Sequence, residues 1–181
     1  EQLRGWEGTA GRLYFETLNF VLPEMYQFSG RSSRPAKDAF NAFLNYGYGM
    51  LYSKIEKSLI LAGLDPFVGF LHRDDYNHRS MVYDFIEPFR TFIDKPIFQL
   101  FTAKKVRQDH WIQFEKGVGM TKEGKVLCVE AVNQYLEEEK IKFRGRHRNR
   151  ADVMQAEAYF FAGELIGRTK EEDIEVDITV I

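Results

Sequence analysis

The sequence predicts an all-α, multi-helix domain, and three observations carry that expectation. Apolar residues recur at helical spacing through several long stretches, and strand signals are few. The composition is that of a folded chain, with 181 residues of which 44% are apolar and 15% aromatic. A chain of this length is expected to form one domain with a substantial core. The expected organisation is a helical domain over 1–170 and a C-terminal tail over 171–181, extended or disordered.

A first helix is expected over 3–20, where Leu3, Trp6, Ala10, Leu13, Tyr14 and Leu18 fall at helical intervals. Pro23 and the polar run from Ser29 to Pro35 read as a loop. A long helix follows from about Lys37 to Ala62, with Phe40, Phe43, Leu44, Leu51, Ile55, Leu59 and Ala62 on its inward stripe. Gly63 is placed to end it as a left-handed cap, and Asp65-Pro66 starts a turn. Beside that stripe Asn41, Asn45 and Tyr48 recur at i, i+4, i+7. Burying an unpaired amide is costly, so these three either make packing hydrogen bonds, face solvent, or line a cleft.

The segment 80–103 reads as helical but broken. Pro88 lacks an amide hydrogen and displaces the carbonyl of Asp84, so it kinks the helix or starts a new one, and Pro96 repeats the break. Further helices are expected at about 122–140, capped by Thr121, and at 149–167, ending at Gly167. The tail alternates Ile174, Val176, Ile178 and Val180 with Glu175, Asp177 and Thr179, which suits a strand that finds a partner edge or an extension that does not. There is no internal repeat and no coiled-coil heptad.

The net charge of −2 argues against a uniformly basic nucleic-acid binder, although local distribution decides. Basic residues cluster in Lys104-Lys105-Val106-Arg107 and in Arg144-Gly145-Arg146-His147-Arg148-Asn149-Arg150. Acidic residues gather in Glu137-Glu138-Glu139 and Glu171-Glu172-Asp173. Each basic cluster is a solvated loop or helix end, or a set of phosphate contacts. Cys128 is the lone cysteine, so neither an intramolecular disulfide nor a thiolate metal cluster can form, and a cytoplasmic setting fits. No apolar run approaches the ~18 residues that mark a membrane span, and no signal peptide is expected from this N-terminal sequence. The chain starts without Met, directly in an expected helix, and reads as part of a longer protein.

His72, Asp84 and Glu87 fall within one 16-residue window, the two carboxylates three apart and so on one helix face. Glu7, near the start of the first helix, is a third carboxylate. Carboxylates with one imidazole suit a hard divalent cation, Mg2+ or Mn2+, which can activate an oxygen nucleophile against a phosphodiester. Spacing alone also admits a hydrogen-bonded structural histidine beside solvated acids.

Several motifs run in order from Arg4 to Arg90. They are Arg4-Gly5-Trp6-Glu7-Gly8, Tyr14-Phe15, Arg34-Pro35, the run from Asp38 to Tyr48, the run from Gly63 to His72, and the run from Asp84 to Arg90. Together they resemble the CRISPR-associated endonuclease Cas1 family, the integrases of spacer acquisition. In that family a β-rich N-terminal domain precedes an all-helical catalytic domain, and this chain resembles the helical domain only. The resemblance puts metal-binding positions on Glu7, His72 and Glu87, and a further acidic position of the catalytic set on Asp84, as a support or an extra ligand. The loop Ser33-Arg34-Pro35-Ala36 departs in part from the family's pattern.

The implied reaction is metal-dependent attack of a prespacer 3′-hydroxyl on a phosphodiester at a CRISPR repeat, with Mg2+ or Mn2+ as cofactor and nuclease activity besides. The implied partners are prespacer and leader-repeat DNA, the small protein Cas2, and a second copy in a homodimer of the full-length protein, with no membrane. Lys104, Lys105, Arg107, Arg146 and Arg148 are candidates to hold backbone phosphates. Two other classes stay open. One is a DNA-binding scaffold without catalysis. The other is an unrelated helical metal phosphohydrolase, whose usual adjacent His-Asp pair is absent here.

Overall fold

The computed structural model describes residues 2–70 and 79–168, with the side chains at 2–4 and 7 left aside. His72, the side chain of Glu7 and the alternating stretch 174–180 therefore lie outside the described residues. Two compact units divide the chain, Glu1–Tyr48 with Ile93–Val132 and Gly49–Phe92 with Asn133–Ile181. Helices α1 (Gln2–Val21), α2 (Ala39–Leu61), α3 (Ser80–Ile86), α4 (Thr91–Thr102), α5 (Lys122–Asn133) and α6 (Arg150–Leu165) dominate, as the apolar periodicity predicts.

In the first unit, Asp38 caps α2 by accepting the Asn41 N–H at 2.7 Å. Phe101 on α4 forms the aromatic centre of the core. Tyr26, Phe40 and Phe43 meet its ring edge-on at 5.0, 5.2 and 5.3 Å, the arrangement aromatic quadrupoles favour. A Cβ on Gly47 would stand 2.6 Å from Ile93 Cγ2, so glycine lets α2 and α4 approach closely there. Helix α4 runs unbroken through Pro96, against expectation. Pro96 sits only six residues into the helix and forfeits one hydrogen bond, to Phe92, while the buried Ile93, Ile97, Leu100 and Phe101 hold the helix in place.

The polar stripe of α2 is a packing device in this unit. Asn41 is fully buried, and its side chain bonds Arg31, the Ser32 N–H, the Gly30 carbonyl and Asp38. Asn45 donates to the carbonyls of Ser32 and Ser33. The Tyr48 hydroxyl donates to Asp94 Oδ1 at 2.5 Å and the Tyr14 hydroxyl to Asp94 Oδ2 at 3.0 Å, tying α1 and α2 to α4. Burial, and then the carboxylate beside it, push the Tyr14 phenol far above its ordinary pKa, so it stays a donor. Tyr14→Phe leaves the ring and removes one donor to a buried carboxylate. It is expected to cost about 1 kcal/mol, read as a lower midpoint in thermal unfolding. Helix α1 is otherwise thinly packed: Trp6 is 70% and Leu13 51% exposed, and nothing stands within 4 Å of a Cβ placed on Gly5, Gly8 or Gly11.

Two hairpins appear where strand signals had been judged few. Strands β1 (Trp111–Phe114) and β2 (Gly117–Met120) pair antiparallel, and the Val118 N–H bonds the Ala36 carbonyl at 2.8 Å. Thr121 caps α5 as expected, its hydroxyl accepting the Gly124 N–H at 3.1 Å. Helix α5 passes directly at Asn133 into a π-helical turn over Gln134–Glu138, so the helical stretch ends close to the expected 140, and a second hairpin follows, β3 (Lys140–Phe143) with β4 (Arg146–Asn149).

The second unit holds that hairpin, α3, α6 and the C-terminal part of α2. Leu51, Ile55 and Leu59 are buried there, as are Val82, Ile86, Val153 and Met154. The hairpin turns at Arg144 and Gly145, both at positive φ (45° and 72°), the geometry a two-residue hairpin favours. The Asn149 side chain accepts the Asp152 N–H at 2.7 Å and starts α6, and Gly167, with φ 66°, follows its end.

Candidate functional site

The expected site residues that are described lie on the α3–α4 junction, which Pro88 shapes. Helix α3 ends at Ile86, a single 3-10 turn covers Glu87–Phe89, and α4 starts at Thr91. Proline thus tightens one turn between two helices, and the chain remains helical at Glu87 (φ −53°, ψ −47°).

Asp84 and Glu87 do different work on this turn. Asp84 is 6% exposed, and its Oδ2 accepts the Phe70 N–H at 2.6 Å. A Cβ on Gly69 would stand 2.5 Å from Ser80 Cβ and 2.9 Å from Asp84 Oδ2, so glycine alone allows this approach. The Met81 N–H also bonds the Pro66 carbonyl at 3.1 Å. The loop that leads into His72 is thereby fastened to α3 at two points, and Asp84 is one of them. Glu87 instead faces solvent. Its Oε1 takes an ion pair from Arg90 Nη2 at 2.6 Å, and among the described residues Oε2 meets no donor. The Arg90 pairing, at i, i+3, was legible in the motif from Asp84 to Arg90 but had been given no role.

Among the described residues no group of three or more His, Cys, Asp or Glu side chains could hold a metal ion. Two of the three expected ligands, Glu7 and His72, have side chains outside that set. Of the expected set, Glu87 alone is described, and one of its carboxylate oxygens meets no donor among the described residues, as a ligand to a hard divalent cation requires.

The basic candidates separate by environment. Lys104 takes a positive φ of 54° just past α4, and it and Lys105 are exposed. Arg107 pairs with Asp109 at 3.2 Å, and its hydrogen bond holds that carboxyl below its ordinary pKa. The Arg144–Arg150 cluster is a turn, the strand β4 and, at Arg150, the first residue of α6. Arg144 bonds Glu157 at 3.0 Å and lies 3.8 Å over the Phe160 ring. Arg150 is 7% exposed, donates to the Tyr135 carbonyl at 2.9 Å, and sits 3.6 Å over the Tyr135 ring. Arg146 is exposed and Arg148 half-buried, and neither meets an acidic side chain among the described residues.

The family model described as CRISPR associated protein Cas1 matches residues 1–134. A CRISPR-associated endonuclease Cas1 from Archaeoglobus fulgidus is 31% identical over 179 residues, covering 95% of this chain and 52% of the relative. The chain spans about half the length of the curated relatives it matches. Of solved structures, a casposase bound to integration product superposes with a TM-score of 0.85 at 27% identity, covering 91% of this chain and 50% of that one. A Cas6-RT-Cas1–Cas2 complex shares the fold, with a TM-score of 0.80 at 24% identity, covering 92% of this chain and 18% of that one.

Proposed function

Because the chain belongs to the CRISPR-associated Cas1 family, we propose that it is the catalytic part of a metal-dependent DNA endonuclease and integrase that inserts prespacer DNA into a CRISPR array. The observation that carries this reading is the division of labour at the Pro88 turn. Asp84 holds the chain at Phe70, and among the described residues Glu87 keeps one oxygen without a donor. The casposase that this chain resembles at 27% identity was captured with an integration product, which supports DNA strand joining as the reaction class.

Glu7, His72 and Glu87 would hold the cation, Mg2+ or Mn2+, which when bound polarises a phosphate oxygen and offsets transition-state charge. Glu7 and Glu87 contribute the negative charge that attracts it, and a neutral His72 contributes a ring nitrogen, so acid weakens the set. Asp84 positions the His72 loop through the Phe70 N–H. Arg90 restrains the Glu87 carboxylate by holding one of its oxygens. In the joining step the 3′-oxygen of the incoming strand bonds to phosphorus as the bond to the target's own 3′-oxygen breaks. The attacking hydroxyl's proton is balanced by the one the departing oxygen gains, so no further reactant is needed.

DNA, Cas2 and a second copy of the full-length protein are the partners this reading implies, in the cytoplasm. Among the described residues no helix is long and apolar enough to cross a membrane. Family membership removes the support for an unrelated phosphohydrolase. The scaffold reading differs in one outcome: it expects DNA binding without joining. The test is joining of a labelled 3′-hydroxyl end to a target duplex by the intact protein with Mn2+. His72→Ala and Glu87→Gln are expected to lose joining and keep the parental melting curve, and parental joining by either variant overturns the proposal.

A further inference from the structure

Seven residues from Arg144 to Arg150 carry four arginines and a histidine, and the structure sorts them into two kinds. Arg144 and Arg150 are fasteners. Arg144 holds the turn of the β3–β4 hairpin to α6, through Glu157 at 3.0 Å and the face of Phe160 at 3.8 Å. Arg150 holds the other end, through the Tyr135 carbonyl at 2.9 Å and Glu139 at 3.2 Å. Both ends of the hairpin are thus tied down by charged hydrogen bonds, which are stronger than neutral ones.

What the fastened hairpin presents is positive charge. Lys140, Arg146, His147 and Arg148 meet no acidic side chain among the described residues, and Lys140, Arg146 and His147 are exposed. The register pairs Phe143 with Arg146 and Ile141 with Arg148, so the two arginines lie on one face of β4, two residues apart. At ~3.4 Å per residue that is about 7 Å, comparable with the step between successive phosphates of a nucleic-acid strand. Lys140 and His147 occupy the opposite face. A rigid strand needs little ordering on binding, which favours a fixed pair of contacts over a flexible arm.

We infer that the β3–β4 hairpin is a sequence-independent clamp on the phosphate backbone of duplex DNA, with Arg146 and Arg148 as its contacts and Arg144 and Arg150 as its anchors. Duplex is favoured over single strand because single-strand sites pair positive charge with open aromatic faces on which bases stack. Here the rings beside the turn, Phe143 and Phe160, are covered by the Arg144 guanidinium at 5.4 and 3.8 Å. No Phe, Tyr or Trp ring on the hairpin is exposed among the described residues, and phosphate contacts alone carry no sequence information. The inference rests on the DNA-joining reading for its partner, and extends it to the β3–β4 hairpin.

The test is the salt dependence of binding of a labelled duplex to the full chain, for the parent and for Arg146→Ala/Arg148→Ala. Neither arginine meets an acidic partner among the described residues, so the variant is expected to melt as the parent does. Each phosphate contact contributes about 0.9 to the slope of log K against log salt on B-DNA, so losing two is expected to flatten the slope by about 1.8. A single-stranded probe is expected to respond less. An unchanged duplex slope, or a change confined to the single-stranded probe, overturns the inference. Glu87→Gln run in parallel separates the two failures, since it is expected to lose joining while keeping the parental slope. If instead it joins normally while the hairpin variant flattens the slope, the catalytic reading fails and the clamp stands.

Discussion

Glu87→Gln is expected to slow DNA joining by roughly three orders of magnitude while leaving the fold and DNA affinity as they are. The substitution keeps the shape of the side chain and removes the negative charge that a cation ligand needs. Metal polarisation of a phosphate is worth several kcal/mol of transition-state stabilisation, and ~4 kcal/mol corresponds to about 10³ in rate. The structural cost is small, because Glu87 is exposed and its pair with the half-buried Arg90 is open to solvent screening, and such pairs contribute ~0–1 kcal/mol. Joining rate with Mn2+, beside a thermal melt and a duplex binding curve, separates a chemical defect from a structural one. A variant that loses joining together with several degrees of melting temperature would point to a structural role for Glu87 instead.

Arg150→Ala is expected to have the largest effect on stability among the basic residues. It removes a charged hydrogen bond to the buried Tyr135 carbonyl, worth ~1.5–3 kcal/mol. It also removes a cation held 3.6 Å over the Tyr135 ring, worth ~0.5–2 kcal/mol. A loss of about 3 kcal/mol lowers the melting temperature of a chain this size by roughly 6–12 °C. Arg150→Lys keeps the charge but not the planar fork, and is expected to fall between. Arg146→Ala, which truncates an exposed residue of β4 beside the turn, is expected to stay within about 0.5 kcal/mol of the parent. Calorimetry on the three variants checks the ranking, and equal melting temperatures for Arg146→Ala and Arg150→Ala would refute it.

That contrast shows why part of this molecule was legible in its sequence and part was not. The helices were legible because their apolar residues keep one period. Phe40, Phe43, Leu44, Leu51, Ile55 and Leu59, read as one stripe of α2, are all at most 1% exposed. Gly63 and Gly167 were read as helix ends, and both take positive φ. The hairpins were harder to see because each strand has four residues, too few for a period of two to stand out. Lys140-Ile141-Lys142-Phe143 before Arg144-Gly145 was the available signal. Charge identity likewise says nothing of burial: Arg146 and Arg150 look alike in the chain, and the Tyr135 carbonyl and ring, with Glu139, separate them.

The catalytic turn divides in the same way. Pro88 marked the break at the right place, and the i, i+3 spacing of Asp84 and Glu87 suggested one shared face. The spacing could not reveal that Asp84 turns to the Phe70 N–H, because that bond crosses 14 residues of sequence and depends on Gly69 having no side chain. Asn41, Asn45 and Tyr48 posed the same difficulty. Their alignment announced partners, and the partners proved to be the 30–33 loop and Asp94.

The measurement that bears most directly on the central claim is anomalous diffraction from crystals of this protein soaked in Mn2+. A manganese peak is expected within bonding distance of Glu7, His72 and Glu87 together, weakened or lost in Glu87→Gln crystals. A protein that joins DNA strands but shows no manganese at those three residues, or shows it elsewhere, would contradict the account.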